Sequence, residues 1–166
     1  RRIAVIELEQ VAYSYGDGAL LSDISLQLAP GSFHFLTGPS GAGKTTFLKL
    51  LYGALRPTSG YVRLFDQDVR DMDRDAIATM RRKVGVVHQD CQFLDHLPVD
   101  ENVALPLAVA GYERGAEAEN LAELLNWVGL NHRAAAHPAE LSGGERQRAA
   151  LARAVILSPD VILADE

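Results

Sequence analysis

Apolar and polar positions alternate first over residues 6–15, where Ile6 and Leu8, then Val11, Tyr13 and Tyr15, stand among polar neighbours. This is the period of a half-buried strand. Gly16-Asp17-Gly18 signals a turn, and Ile24, Leu26 and Leu28 alternate again before Pro30-Gly31. The two stretches predict an antiparallel pair with one solvated face. A third strand is expected over residues 32–37. It runs into a glycine-rich segment and then a helix over 44–55, with Gly53 weakening its end and Pro57 closing the region. A short strand follows at 61–65, a charged amphipathic helix at 74–83 and a buried apolar strand at 84–88. Helical sequence comes next, clearest over 116–128, where Leu121, Leu124, Leu125 and Val128 share a face. A further helix is expected over 144–157, and Pro159 separates it from a last buried strand, Val161–Ala164. Strands alternating with helices point to an α/β layered domain with a parallel sheet.

Composition narrows the class. With 166 residues the chain has enough length for one domain with a sizeable core. The formal net charge of -6 argues against a general nucleic-acid binder, so no nucleic-acid partner is expected. One cysteine, Cys91, rules out an internal disulfide and reads as a small core residue. No apolar run approaches the length that spans a bilayer, and the first residues lack a signal core. The expected location is cytoplasmic. The five histidines show no metal-ligand spacing.

Three motifs carry chemistry. Gly38-Pro39-Ser40-Gly41-Ala42-Gly43-Lys44-Thr45-Thr46 lies between an expected strand and an expected helix, the setting of a phosphate-binding loop. Its glycines let successive backbone N–H groups point at phosphate oxygens, and the helix end adds partial positive charge. Lys44 is expected to reach the β- and γ-phosphates and Thr45 to ligate Mg²⁺. Four apolar residues then lead into Asp165-Glu166. Acids at the carboxyl end of a buried strand are placed to serve a ligand: Asp165 in the Mg²⁺ shell and Glu166 as general base toward water. Leu141-Ser142-Gly143-Gly144-Glu145 opens a helix. Ser142 and Glu145 suit a capping box, which leaves the two glycines unexplained; with the Ser142 hydroxyl and the helix N–H groups they also suit an anion site.

These motifs, in this order, resemble the ABC-transporter ATPase family, and the resemblance covers essentially the whole chain. It implies a P-loop NTPase, RecA-like core with an N-terminal antiparallel β-subdomain and an inserted α-helical subdomain. In this layout residues 1–90 form the β-subdomain and P-loop core, 91–141 the helical subdomain, and 142–166 the signature helix and returning strand. It implies ATP and Mg²⁺ as cofactors, Tyr15 stacked on adenine with Tyr13 as rival, and Gln89 sensing the γ-phosphate or Mg²⁺. It also implies a head-to-tail homodimer on ATP binding, in which Ser142, Gly143 and Gly144 of one subunit close over ATP held by the other. An integral membrane permease subunit would dock around residues 89–107, where Phe93, Leu94, Leu97 and Val99 stand. The protein would then lie on the inner face of the membrane through that partner.

Gln89-Asp90-Cys91-Gln92-Phe93-Leu94-Asp95-His96-Leu97, Glu101-Asn102-Val103-Ala104-Leu105-Pro106-Leu107 and Trp127-Val128-Gly129-Leu130 resemble the cell-division branch of the family. Lipoprotein-release and macrolide-export branches share much of this pattern. A nucleotide-gated docking module without turnover is the alternative from another class; a small-molecule P-loop kinase would have no use for Leu-Ser-Gly-Gly-Glu. Residues 1–4 precede the expected start of the family. The domain is expected to be C-terminally truncated, since the family continues beyond Asp-Glu with a further strand and a γ-phosphate histidine. Slow ATP turnover and marginal stability are therefore expected of residues 1–166 alone.

Overall fold

The computed structural model describes residues 4–16, 18–32, 34, 36–37, 43–88 and 90–164. The described chain forms two compact units, residues 4–84 and Gly85–Ala164.

In the first unit, strands β1 (Ile6–Ser14), β2 (Ala19–Leu28), β3 (Ser59–Leu64) and β4 (Gln67–Asp68) form one antiparallel sheet in the order β2-β1-β3-β4. Ile6 faces Leu28 on one side and Leu64 on the other, and Leu8 faces Leu26 and Val62. Ile6, Leu8, Val11, Leu28, Val62 and Leu64 are buried, as the alternation requires. The three-residue step from Leu8 to Val11 is a bulge. Gln10 has φ 47°, and the register shifts there against both neighbouring strands. The Gln10 amide donates to Ser25 Oγ at 3.0 Å. Gly60 makes the bulge possible: a Cβ there would sit 2.2 Å from Gln10 O, and its φ is +72°.

Helix α1 (Lys44–Leu51) contributes Leu48, Leu50 and Leu51 to the core, and α2 (Arg74–Arg81) contributes Met80. The helix expected to run to residue 55 stops at Leu51. Gly53 N donates to Leu50 O (3.4 Å) and Ala54 N to Lys49 O (2.8 Å), the paired bonds of a Schellman stop. The expected strand over 32–37 includes Phe33 and Phe35, which lie outside the described residues.

The second unit carries β5 (Val84–Val87) paired with β6 (Val161–Ala164), and helices α3 (Val99–Val109), α4 (Ala118–Trp127) and α5 (Gly143–Val155). Its core joins Val99 and Val103 of α3, Leu125 of α4, Ala149 and Ala152 of α5, and Val128, Leu130 and Leu141 from the connections. The single cysteine is buried, as expected. No helix among the described residues is long and apolar enough to cross a membrane.

Candidate nucleotide site

The phosphate-loop side of the site starts at Gly43. This residue is the N-cap of α1 with φ 88° and ψ 11°, and it provides no side-chain cap. Its left-handed backbone favours glycine, and a Cβ would press against the tip of Leu21 at 2.9 Å. The helix ladder begins with Phe47 N donating to Gly43 O at 2.8 Å. The α1 first turn contains no acid, whereas α2, α3, α4 and α5 each carry at least one there. A helix N-terminus with neither side-chain cap nor carboxylate keeps its donors and partial positive charge for an outside anion.

Lys44, Thr45 and Thr46 fill that first turn. Thr45 is exposed and Thr46 buried, so the Thr45 hydroxyl has the access a Mg²⁺ ligand needs. Tyr15 stands on the turn after β1, where Ser14 Oγ lies within hydrogen-bond reach of Gly16 O (2.7 Å) and Gly18 O (3.0 Å). Its hydroxyl is 3.5 Å from Thr46 Oγ1. Tyr15 is 64% exposed and meets the Tyr13 ring edge-on at 4.7 Å. Tyr13 is more enclosed; burial first, and then the neighbouring Tyr15, raises its phenol pKa. Of the two tyrosines, Tyr15 is the more exposed, and its hydroxyl lies beside the first turn of α1. Gly38, Pro39, Ser40, Gly41, Ala42, Gln89, Asp165 and Glu166 lie outside the described residues.

The signature side belongs to the second unit. Ser142 caps α5: its Oγ accepts from Glu145 N (3.2 Å), and Glu145 Oε1 accepts from Ser142 N (3.0 Å). The capping box read from the sequence is therefore present. Arg133 Nε lies 3.2 Å from Glu145 Oε2. The Ser142 amide first, and Arg133 next, hold the Glu145 carboxyl at a pKa of about 2. Gly143 and Gly144 are exposed, and a Cβ on either would meet nothing within 4 Å. Nothing inside the described chain requires them to be glycine.

The expected docking face is only partly available. Of its four apolar residues, Val99 is 1% exposed and belongs to the helical core. Phe93 is covered by Arg153 and Arg146, whose guanidinium carbons lie 4.8 and 5.4 Å from the ring centre. Leu97 is half-buried, and Leu94 is 42% exposed. Sequence reading missed the two arginines. The signal was their spacing of seven, which puts both on one face of the helix.

A glycine-capped helix N-terminus loaded with Lys-Thr-Thr defines a phosphate-loop nucleotide-binding protein, and comparison with known proteins fixes the family. The family model described as ABC transporter matches residues 21–166. The chain is 41% identical over 163 residues to the cell division ATP-binding protein FtsE of Bacillus subtilis, covering 98% of this chain and 72% of that protein. It is 36% identical to the methionine import ATP-binding protein MetN of Brucella abortus, covering 98% of this chain and 44% of the relative. Among solved structures, the cassette MJ0796, a dimer in a post-hydrolysis state with ADP and Pi, superposes with a TM-score of 0.86 at 35% identity, covering 97% of this chain and 73% of that one. CbiO1 from Clostridium perfringens, part of the cbiONQ transporter complex, gives a TM-score of 0.83 at 25% identity, covering 98% and 65%. The chain belongs to the ABC transporter family, as one of its ATP-binding cassettes. ATP and Mg²⁺ are the cofactors of this family; Lys44 and Thr45 lie in the first turn of α1.

Proposed function

We propose that the chain is the ATP-hydrolysing subunit of a membrane complex of the cell-division kind, an FtsE-like cassette that couples ATP to an FtsX-like permease subunit. The identity to FtsE along 98% of the chain supports the branch, and the α1 N-terminus with Tyr15 beside it supports the nucleotide. Lys44 neutralises the β- and γ-phosphates while the first-turn amides orient them. Tyr15 stacks on the base. Thr45 and Asp165 hold Mg²⁺, with Gln89 at its edge, and Mg²⁺ would neutralise charge between the phosphates. Glu166 orients and deprotonates water.

Two copies act head to tail, the Ser142-Gly143-Gly144 end of α5 in one closing over ATP in the other. The open space above both glycines supports that arrangement, because it leaves the backbone approachable from outside. Leu94 is the apolar contact left for the permease subunit, and this contact would hold the protein at the inner face of the membrane.

The test is depletion of the intact gene product in its own cells, together with steady-state ATPase assays on the purified protein. Filamentous, undivided cells and Mg²⁺-dependent turnover are expected. Normal division with failed solute uptake would sink the cell-division assignment in favour of import, the role for which MetN is named. Tight ATP binding without turnover would instead favour the docking-module reading.

A further inference from the structure

The backbone directly after Gln89 is gripped from the signature helix. Cys91 and Gln92 have φ values of 61° and 44°. Two consecutive non-glycine residues in the left-handed region are disfavoured by about 1–2 kcal/mol each, so neighbouring structure has to hold them. Arg153, on α5, donates from Nη1 to Gln92 O at 3.1 Å and from Nη2 to Cys91 O. Its guanidinium plane also covers the Phe93 ring, which Arg146 flanks; Arg146 is itself tied to Pro138 O at 2.9 Å. A planar fork that reaches two carbonyls while stacking on a ring is a task lysine cannot perform.

The far end of the same loop is tied to α3. Asn102, 1% exposed, accepts from Leu94 N (2.8 Å) and donates to Leu94 O (3.0 Å), Leu97 O (2.9 Å) and Pro98 O (3.2 Å). Residues 91–98 are thus fixed at both ends, and the helix that fixes the end nearer Gln89 is the one capped by Ser142.

We propose that Arg153 is a positioning residue: it locks the segment leaving Gln89 to α5, so that Gln89 and the Ser142 end of the helix move as one piece. The proposal rests on the reading of Gln89 as a residue that meets the γ-phosphate or Mg²⁺. A helix that shifts when its N-terminus meets nucleotide would then draw the chain next to Gln89 with it, through the Arg153 guanidinium held on the Cys91 and Gln92 carbonyls.

The test uses the intact gene product with Arg153→Lys, Gln89→Ala and the double variant. Arg153→Lys is expected to lower kcat about tenfold, with the KM for ATP within about twofold of the parent, because the loop is misplaced and the phosphate cradle is not. On the Gln89→Ala background the same change should have almost no further effect, since residues acting through one another are non-additive. An equal tenfold drop on both backgrounds would show a merely structural role and overturn the proposal. Hydrogen exchange gives a readout independent of turnover. The Cys91 amide, which donates to His88 O at 3.0 Å, should exchange at least about tenfold faster in Arg153→Lys, with α1 amides unchanged. Unchanged exchange at Cys91 would refute the lock. If the parent protein hydrolyses no ATP, the ATPase reading fails, while the exchange comparison still decides whether Arg153 holds the loop.

Discussion

Lys44 and Glu145 show how differently two charged side chains at helix N-termini can be used. Lys44 opens α1, whose N-cap Gly43 gives no side-chain cap and whose first turn holds no acid; the partial positive charge of such a helix end favours an incoming anion. Lys44→Ala should therefore weaken ATP binding by about 100-fold, equivalent to roughly 3 kcal/mol for a lost charge-assisted contact, measured by equilibrium binding. Affinity within a few-fold of the parent would contradict the phosphate-loop reading. The α5 N-terminus, by contrast, has its anion built in: Glu145. Its carboxyl is lowered from 4.5 to about 2 by the Ser142 amide and Arg133, so the folded state binds this proton less readily than the unfolded chain. The stabilisation is complete above the unfolded value and drains away as pH falls from about 4.5 toward 2. Glu145→Gln should flatten the loss of Tm between pH 5 and about 3 relative to the parent, as followed by thermal melts. Parallel melting curves for the two proteins across that interval would show that the capping box contributes nothing to acid sensitivity.

At the scale of elements, the glycines separate into those the chain needs and those it does not. Gly60→Ala would drive a Cβ against Gln10 O at a positive φ, and should cost about 2–3 kcal/mol in urea unfolding. Gly143→Ala and Gly144→Ala place a Cβ in open space within a helical turn and should change stability by at most about 1 kcal/mol in either direction. The same two changes should nevertheless lower ATPase activity at least about tenfold, if another subunit's nucleotide must approach that backbone. Parent-like activity in both would remove the functional argument for the signature. These contrasts mark what the sequence could and could not disclose. The start of α1 at Lys44 and the capping box of Ser142 and Glu145 were legible because each signal is local. Alternation gave β1, but the slip from Leu8 to Val11 became a bulge only when Gly60, fifty residues on in sequence, was seen against Gln10. Val99 and Phe93 looked like a docking surface because hydrophobicity alone does not say whether a core or a partner covers a side chain. Arg153 escaped notice because its bonds go to carbonyls of another loop, and no residue-type pattern reports those.

Across the whole molecule, the parts read as a nucleotide site are divided between two compact units. Residues 4–84 hold Tyr15 and Lys44, and Gly85–Ala164 hold Ser142, Gly143 and Gly144. The exposed signature needs no partner from its own fold: Ser142 is satisfied by Glu145, and a Cβ on either glycine would meet nothing within 4 Å. A self-sufficient cap that still keeps two glycines fits a surface meant for a second copy, and the cassette that superposes with a TM-score of 0.86 is itself a dimer. Ser142→Arg tests this at the level of assembly. The substitution removes one cap hydrogen bond, a loss of about 1 kcal/mol, and places a long cation on an exposed helix end. Binding of ATP to the monomer should be unchanged, because Lys44 and the α1 amides are untouched. Dimer formation with a non-hydrolysable ATP analogue should disappear in sedimentation experiments, and steady-state turnover should fall with it. If the variant loses ATP binding as a monomer, the signature acts on the nucleotide of its own chain. If it dimerises and turns over as the parent does, this end of α5 is not part of the interface.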